Sequence, residues 1–263
     1  MVDPGDAIGK ARAAVAERAE LPGMSLMEHL DELRRRIVHS AIYLALGFFT
    51  CWFFHDRIVG FLQAPLNRIG KSLVFTHPMD ALNLDMQASL LGGVILASPF
   101  ILFQVWLFIA PGLYQKERRF VVPFMAATIG LFLTGAGFGY FYVLPAAIKI
   151  LIVGFGHNFT PMVTIEDYTS FFLSVILGLG ISFELPILIF FLALFGIVSP
   201  RFLAKNIRYA ILAVFVIAAI ICPSPDVWTM CVYAIPMLCL YLLGIAVAWW
   251  VHPSRKKARE AAS

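Results

Sequence analysis

The chain has 263 residues, of which 60% are hydrophobic and only 14% are charged, whereas about 25% of the residues of a typical soluble domain are charged. A soluble fold of this composition would have too few polar side chains to cover its own surface, so the composition excludes an ordinary soluble domain. The formal net charge of +4 is modest, and the positions of the charges are more informative than their sum.

The N-terminal segment, residues 1–36, is polar and charged, and its composition is not that expected of a cleavable signal peptide. Ser25-Leu26-Met27-Glu28 fits a helix capping box, and apolar residues follow it at helical spacing. The pattern predicts a short interfacial helix that leads into the first membrane span. On such a helix Asp31 can pair with Arg35, and Glu32 with Arg36. The residues alone favour this view of the acids as part of a solvated helix face.

Six long apolar stretches follow, and each predicts a transmembrane helix because about 20 residues are needed to cross the hydrocarbon layer. The fifth is short, since Arg208 precedes it and Pro223-Ser224-Pro225-Asp226 ends it. We therefore expect the fifth and sixth spans to form a short hairpin. The stretches contain no Asp, Glu, Lys or Arg except Glu184 in the fourth, and they cover residues 37–54, 86–115, 120–148, 168–200, 209–225 and 227–254.

The basic residues predict the orientation. Sixteen of the 20 Lys and Arg residues lie in the N-terminal segment, the 111–119 loop, the 198–208 loop and the C-terminal tail, and four lie in the alternate loops. The positive-inside rule places the larger group, and with it both termini, in the cytoplasm. The alternate loops, at about 55–85 and 145–167, are expected to fold as short caps outside. The predicted organisation is a cytoplasmic segment with the interfacial helix (1–36), a six-helix membrane domain (37–250) and a cytoplasmic basic tail (251–263).

Three residue types inside the spans predict packing details. Gly135 and Gly139 form a G-x-x-x-G pattern, for which packing within the molecule is favoured over a contact between subunits. Prolines at 99, 186 and 236 are expected to kink their helices. The four cysteines lack metal-ligand spacing and are interpreted as small apolar side chains, with a disulfide between Cys51 and Cys222 as the alternative.

Glu184 is the one formally charged residue inside a predicted span. An ionised carboxylate at the bilayer centre costs at least about 2.5–3.5 kcal/mol, so this side chain must face protein, water or a partner. A polar site in a functional concavity is favoured, and a structural hydrogen bond to a neighbouring helix is the alternative. No metal, cofactor or nucleotide motif accompanies it.

The sequence resembles the TatC family, the multispanning receptor subunits of the twin-arginine protein translocase. The resemblance extends from about residue 25 to 250, and the loop after the second span is its most specific part. The matching stretches are His29-Leu30-Asp31-Glu32-Leu33-Arg34, Ala64-Pro65-Leu66, Gln104-Val105-Trp106-Leu107-Phe108-Ile109-Ala110-Pro111-Gly112-Leu113, Glu117-Arg118-Arg119, Ser182-Phe183-Glu184-Leu185-Pro186 and Pro225-Asp226-Val227.

This resemblance implies six helices in a concave, glove-like bundle that recognises folded precursors by a signal motif with paired arginines. It implies that Glu32 and Glu117 receive the arginines, that Phe108 and Leu113 shape the platform, and that Glu184 is a membrane-embedded acid on the concave side. It also marks positions of structural importance in loops, which are Pro65, Pro111 and Asp226. In many members a glutamine lies four residues after the aspartate that matches Asp226, whereas this chain has Met230.

The resemblance further implies function and partners. The chain is expected to be a non-enzymatic core subunit in the inner membrane of a prokaryote, driven by the proton gradient and without cofactor or metal. Its expected partners are single-span TatA- and TatB-type subunits, signal peptides, further copies of itself and membrane lipid, but no nucleic acid. The alternative function is a proton-coupled secondary transporter that uses Glu184, although the inverted repeats usual in such transporters are not evident.

Overall fold

The computed structural model describes residues 26–109, 121–155, 162–194, 196–222 and 226–251, and these residues are almost entirely helical. Residues 139–143 and 149–155 are π-helical turns on either side of a short α-helix. The helices are α1 (Leu26–Trp52), α2 (His55–Asn67), α3 (Asp80–Ile109), α4 (Val121–Phe138), α5 (Leu144–Ile148), α6 (Ile165–Ser182), α7 (Leu185–Leu194), α8 (Pro200–Lys205), α9 (Ile207–Ile221) and α10 (Val227–Val251), and the strands are β1 (Leu73–Val74) and β2 (Val163–Thr164).

Each apolar stretch predicted to span the membrane contains a helix. Within the described residues, four helical segments are long and apolar enough to cross a bilayer, and α1 with α2, which bend by 84° between them, make a possible fifth. Helix α9, at 15 residues, is shorter, as was expected from Arg208 before the fifth apolar stretch and the prolines at its end. The four long segments are Asp80–Ile109, Val122–Gly154, Ile165–Leu194 and Val227–Trp249.

The outer surfaces of these helices are apolar. Large side chains such as Leu46, Val122, Ile220 and Leu242 are more than half exposed on the surface of the single chain. In water, exposed apolar surface on this scale would drive aggregation, whereas lipid solvates it. The surface therefore agrees with the composition that excluded a soluble domain.

Helices α1 and α3 form an antiparallel pair. The ring of Tyr43 stacks on that of Phe100 at 5.3 Å between centroids. Further along, a Cβ atom added to Gly47 would lie 2.7 Å from the carbonyl oxygen of Gly93, so the backbones touch where neither residue has a side chain. Small residues allow such close approach in membrane helices. This contact fixes the position of α1 along α3. It therefore determines which residues in the N-terminal part of α1 lie next to the C-terminal part of α3.

The G-x-x-x-G pattern packs within the molecule, as predicted. A Cβ atom on Gly135 would lie 2.7 Å from the ring of Phe183 and 2.8 Å from the carbonyl oxygen of Leu179, and one on Gly139 would lie 3.3 Å from the Leu179 side chain. Both glycines thus seat α4 against the α6 region. A Cβ atom added to Gly137, between them, would have no neighbouring atom within 4 Å, so this glycine faces elsewhere.

Gly135→Ala should therefore destabilise the bundle by about 1–3 kcal/mol, the usual cost of overpacking. Gly137→Ala is the matched control and should be neutral or slightly stabilising, because alanine favours the helix and meets no neighbour there. Thermal unfolding of the purified variants in detergent measures the difference. Equal midpoints for Gly135→Ala and the parent would show that this contact is not tight.

At one end of the bundle, α2 and the two short strands form a cap. Strand β1 pairs in parallel with β2, so the segments after α2 and before α6 are joined. Pro65 lies inside α2 and removes the N–H that would bond to the Phe61 carbonyl one turn back. The hydroxyl of Tyr140 donates to that carbonyl at 3.0 Å. Pro65 thus leaves the Phe61 carbonyl free to accept this bond, which joins the cap to the π-helical turn after α4. A short cap was predicted here, and the described residues show one.

The three prolines inside the predicted spans have different effects. Helices α3 and α10 continue past Pro99 and Pro236. The Ser98 hydroxyl donates at 2.8 Å to the Ile95 carbonyl, the acceptor that Pro99 leaves without its helical partner. Near Pro186, by contrast, the helix is interrupted by a turn at Phe183 and Glu184, between α6 and α7. Even so, the two helices together make one candidate span.

All four cysteines lie among the described residues and none of them forms a disulfide, so the alternative of a Cys51–Cys222 disulfide is wrong. Cys51 and Cys222 are buried, Cys231 is half-buried and Cys239 is exposed. The interpretation as buried apolar side chains thus holds for the first two. Cys239 lies on the outer surface of α10, where a small, weakly polar thiol is compatible with lipid.

Candidate functional site

The N-terminal part of α1 and the C-terminal part of α3 meet at the end of the bundle opposite the cap, here called the Glu32 end. His29, Glu32 and Arg36 are spaced by three and four residues and therefore share one face of α1. Gln104 and Phe108, four residues apart, share a face of α3 in the same way. The His29 ring stacks on that of Phe108 at 4.5 Å between centroids and 25° between planes, which shows that the two faces meet.

Glu32, Arg36 and Gln104 form a chain of charge-assisted hydrogen bonds across the two helices. Arg36 Nε donates to Glu32 Oε1 at 2.7 Å, and Arg36 Nη2 lies 2.5 Å from the same oxygen. Arg36 Nη1 donates to Gln104 Oε1 at 2.9 Å. These bonds hold the Glu32 carboxylate in place, while the Glu32 side chain remains 22% exposed.

The predicted pairing of acids on α1 is thus half correct. Glu32 pairs with Arg36 as expected. Asp31 and Arg35 are both described residues, and no ion pair joins them. The backbone carbonyl oxygen of Arg35 accepts a hydrogen bond from His39 Nδ1 at 2.6 Å. Helix α1 runs without a break from Leu26 through Trp52, so the predicted interfacial helix and the first predicted span are one helix, and Ser25 of the predicted capping box lies outside the described residues.

The opposite face of α3 is anchored in the bundle by Trp106, which is 3% exposed. Its indole N–H donates to the Thr128 hydroxyl at 3.1 Å, which in turn donates to the Phe124 carbonyl. Its ring meets that of Phe191 edge-on at 4.8 Å. Trp106 therefore holds the last turns of α3 against α4 and α7 while Gln104 and Phe108 face α1.

The structure brings together two of the four residues expected to bind signal peptide, Glu32 and Phe108. Glu117 and Leu113, the other two, lie outside the described residues, and so does Pro111. The segment that contains them, residues 110–120, directly follows α3 and directly precedes α4. It therefore begins immediately after the last turn of α3, which also carries Phe108.

Glu184 lies in the turn between α6 and α7, 10 residues before the end of the candidate span Ile165–Leu194. Its side chain is half-buried, and its Oε1 atom is buried without a hydrogen-bond partner among the described residues. Two residues back, the Ser182 hydroxyl donates to the Gly178 carbonyl at 2.6 Å. The carboxyl group thus sits at a break in helical hydrogen bonding inside a span, and the structural alternative of a hydrogen bond to a neighbouring helix is not seen for Oε1.

Asp226 immediately precedes α10, and its Oδ1 accepts from the Thr229 backbone N–H at 2.7 Å. This N-cap contact explains a structural role for Asp226 in physical terms. Thr229 and Tyr233, four residues apart, are almost fully buried, so this face of α10 points into the bundle. Met230, which replaces the glutamine common in the resembling family, is half-buried and packs against the main apolar core.

Two roles were not predicted from the sequence: Arg36 links Glu32 to Gln104, and Gln104 is the buried partner of Arg36. A signal was present, since Gln104 is an amide inside a predicted span and stands one helical turn from Phe108. Unpaired, such a group is costly in an apolar layer, and it therefore implies a polar partner. Among the described residues, no group of three or more His, Cys, Asp or Glu side chains is placed to hold a metal ion.

Comparison with known proteins decides the family. A sequence model described as "Sec-independent protein translocase protein (TatC)" matches residues 28–236. The chain belongs to the TatC family. A Sec-independent protein translocase protein TatC of Koribacter versatilis (strain Ellin345) is 51% identical over 98% of this chain and 97% of its own length. The TatC of Aquifex aeolicus (strain VF5) is 38% identical over 90% of this chain and 100% of its own length.

The fold agrees with this membership. A crystal structure described as twin arginine translocase receptor TatC matches with a TM-score of 0.77 at 38% identity, covering 85% of this chain and 99% of that one. This TatC-family protein is therefore a component of a protein translocase and not an enzyme. It is a multi-pass protein of the prokaryotic cytoplasmic membrane. The family does not favour the alternative of a proton-coupled secondary transporter.

Proposed function

We propose that this TatC-family protein is the receptor and core subunit that binds the twin-arginine signal peptides of folded precursors. The observation that carries the proposal is the Glu32 end, where a carboxylate is held at the surface beside the stacked rings of His29 and Phe108. A matching crystal structure bears the description of a twin-arginine translocase receptor, which supports the same function.

The chemistry of the Glu32 end suits a signal with paired arginines. A guanidinium presents a planar set of donors that a carboxylate accepts in pairs, and such charge-assisted bonds are stronger than neutral ones. Two acids on separate segments, Glu32 and Glu117, can each receive one arginine of an adjacent pair. Phe108 and Leu113 would supply the apolar platform on which the neighbouring residues of the signal rest.

The proposed topology has six spans in a concave bundle with both termini in the cytoplasm. It combines the four long candidate spans, α1 and the short α9 with the distribution of basic residues. In this arrangement the Glu32 end faces the cytoplasm, where precursors fold, and the cap faces outside. The proposed cytoplasmic segment (1–36), membrane domain (37–250) and basic tail (251–263) follow from it.

Cysteine accessibility tests this topology in a variant without native cysteines. Single cysteines at Lys116 and Arg201 should react with a membrane-impermeant maleimide only from the cytoplasmic side. Cysteines within 65–80 and 155–165 should react only from the opposite side. Labelling of the 111–119 loop from outside in intact cells would contradict the six-span arrangement with a cytoplasmic N-terminus.

The proposed partners are single-span TatA- and TatB-type subunits and further copies of this chain. Exposed apolar side chains along α9 and α10, such as Ile220 and Ile235, offer surface on which single helices or lipid can pack. With no nucleotide motif in the sequence, the proton gradient is the proposed source of energy.

Export in cells tests the function. A strain that lacks its own TatC, supplied with this chain and its cognate partners, should export a folded reporter that carries a twin-arginine signal. Vesicles that contain the chain should show no proton-coupled uptake of small solutes. Absence of export from a chain that is inserted at normal levels, together with solute uptake, would favour the secondary-transporter alternative.

A further inference from the structure

We propose that Arg36 and Gln104 are positioning residues that hold the Glu32 carboxylate ready for the first guanidinium of the signal. The inference rests on the proposed function, since it assumes that Glu32 receives an arginine of the peptide. It goes further by assigning the orientation of that acid to Arg36 and to a buried amide on another helix, 68 positions from Arg36 in the sequence.

The geometry is that of an internal clamp. Two nitrogens of Arg36 converge on one oxygen of Glu32, Oε1, and the third reaches Gln104. A planar guanidinium with acceptors on two helices cannot rotate without breaking at least one of these bonds. Since Arg36 uses Oε1, we infer that Oε2 is the atom that receives the incoming guanidinium.

Gln104 is the fixed point of the clamp. Its side chain is 4% exposed, and it stands on a helix that Trp106 anchors from the other face. A guanidinium has no acceptor, so the amide oxygen of Gln104 must be the atom that faces Arg36. Burial of a polar amide in an apolar layer is costly unless it is paired, and Arg36 provides that pairing.

Pre-organisation explains why such a clamp benefits binding. A glutamate side chain that is free to rotate loses rotamer entropy when it closes on a ligand. A carboxylate already held by Arg36 has lost that freedom on folding, so more of the interaction energy appears as affinity. Loss of Gln104 should release Arg36 and, through it, Glu32.

Gln104→Leu removes the acceptor at similar volume and should weaken binding of a twin-arginine peptide about 3- to 10-fold, the range for one net hydrogen bond. The measurement uses the full chain in nanodiscs and a fluorescent peptide. Arg36→Lys keeps the charge but loses the planar fork, and a similar loss is expected. Gln87→Leu, at the cap end of the same helix, is the matched control and should bind as the parent does.

Two comparisons separate positioning from a general structural effect. In a Glu32→Gln background, Gln104→Leu should add less than about a 2-fold further loss, because it acts through Glu32. A paired-lysine peptide should be affected less than the arginine peptide by the same substitution. A full additional loss in that background, or equal losses for both peptides, would overturn the positioning role.

The outcome for Glu32 itself distinguishes the inference from the function on which it rests. If Glu32→Gln weakens peptide binding while Gln104→Leu and Arg36→Lys do not, the clamp is refuted and the receptor site stands. If Glu32→Gln also binds as the parent does, Glu32 does not receive the signal, and both the positioning role and the assignment of Glu32 to the arginine site fail, whereas export of the folded reporter still tests the function. If Gln104→Leu does not fold, Arg36→Lys gives the same decision.

Discussion

Replacing Glu32 with Gln or Ala should weaken binding of a twin-arginine peptide by roughly 1.5–3 kcal/mol, the range for hydrogen bonds to charged groups. The Glu32 side chain is partly exposed and its carboxylate is already oriented by Arg36, so its loss removes a prepared acceptor. The same change at Glu117 should have an effect of similar size if the two acids receive one arginine each.

Asp31→Asn is the matched control for this prediction, because it removes the same charge from the neighbouring position, where the side chain is exposed. It should change affinity little, since exposed charges contribute weakly and are screened by salt. A paired-lysine peptide should bind the parent more weakly and respond less to either substitution. Parent-like affinity in both single variants, Glu32→Gln and Glu117→Gln, would show that these acids are not the arginine site.

The second large effect is expected at Glu184, where Glu184→Ala should abolish most export of a folded reporter. Its carboxyl group lies at a helix break inside a span, a costly place that indicates a role with a polar partner or water. Glu184→Gln keeps the shape and hydrogen bonding of a protonated acid. If the acid works in its neutral form, Gln should retain most export, and if its charge is needed, both variants should fail.

Peptide binding separates this role from signal capture. Glu184 lies in the turn between α6 and α7 and contributes no contact to the chain of hydrogen bonds from Glu32 through Arg36 to Gln104, so both variants should bind a twin-arginine peptide like the parent. Glu166→Ala, which removes an exposed acid from the first turn of α6, is the control and should leave export unchanged. Normal export by both Glu184 variants, at normal protein levels, would reduce Glu184 to a packing residue.

The sequence predicted the helices well because lipid imposes a simple requirement. A chain in hydrocarbon must satisfy its backbone within each segment, so every long apolar stretch becomes a helix. The short α9 was predictable as well, since Arg208, in its first turn, and the run from Pro223 to Asp226 bound the apolar stretch that it contains. The start of α1 was predictable too, because the capping-box pattern from Ser25 predicts a helix that leads into the first span, and α1 begins at Leu26 and continues into the first apolar stretch without a break.

The contacts between helices could not be predicted in the same way. Gly47 and Gly93 bring α1 and α3 together, but one glycine in α1 and the adjacent Gly92 and Gly93 in α3 form no pattern that reveals which glycines meet. The Arg36–Gln104 hydrogen bond depends on the position of α1 along α3, and it joins residues that are 68 positions apart in the sequence. The interruption beside Pro186 also differs from the continuous helix at Pro99, where Ser98 satisfies the freed carbonyl.

For the candidate site, residue chemistry alone left Glu32 as one acid of a solvated helix face. Resemblance to the family singled it out, and the structure then showed Glu32 and Phe108 at one end of the bundle. The pairing with Arg36 shows that the solvated-face interpretation and the binding interpretation are compatible. A carboxylate that pairs along its own helix is also one that is held in a fixed position.

Photo-cross-linking from a twin-arginine peptide tests whether the Glu32 end binds the signal. The peptide carries a photoreactive residue next to its paired arginines, and the adducts on the full chain in nanodiscs are mapped by mass spectrometry. The account predicts adducts within residues 26–36 and 104–119 that disappear when the arginines are replaced with lysines. Adducts confined to the 55–85 region, or equally strong with the lysine peptide, would contradict it.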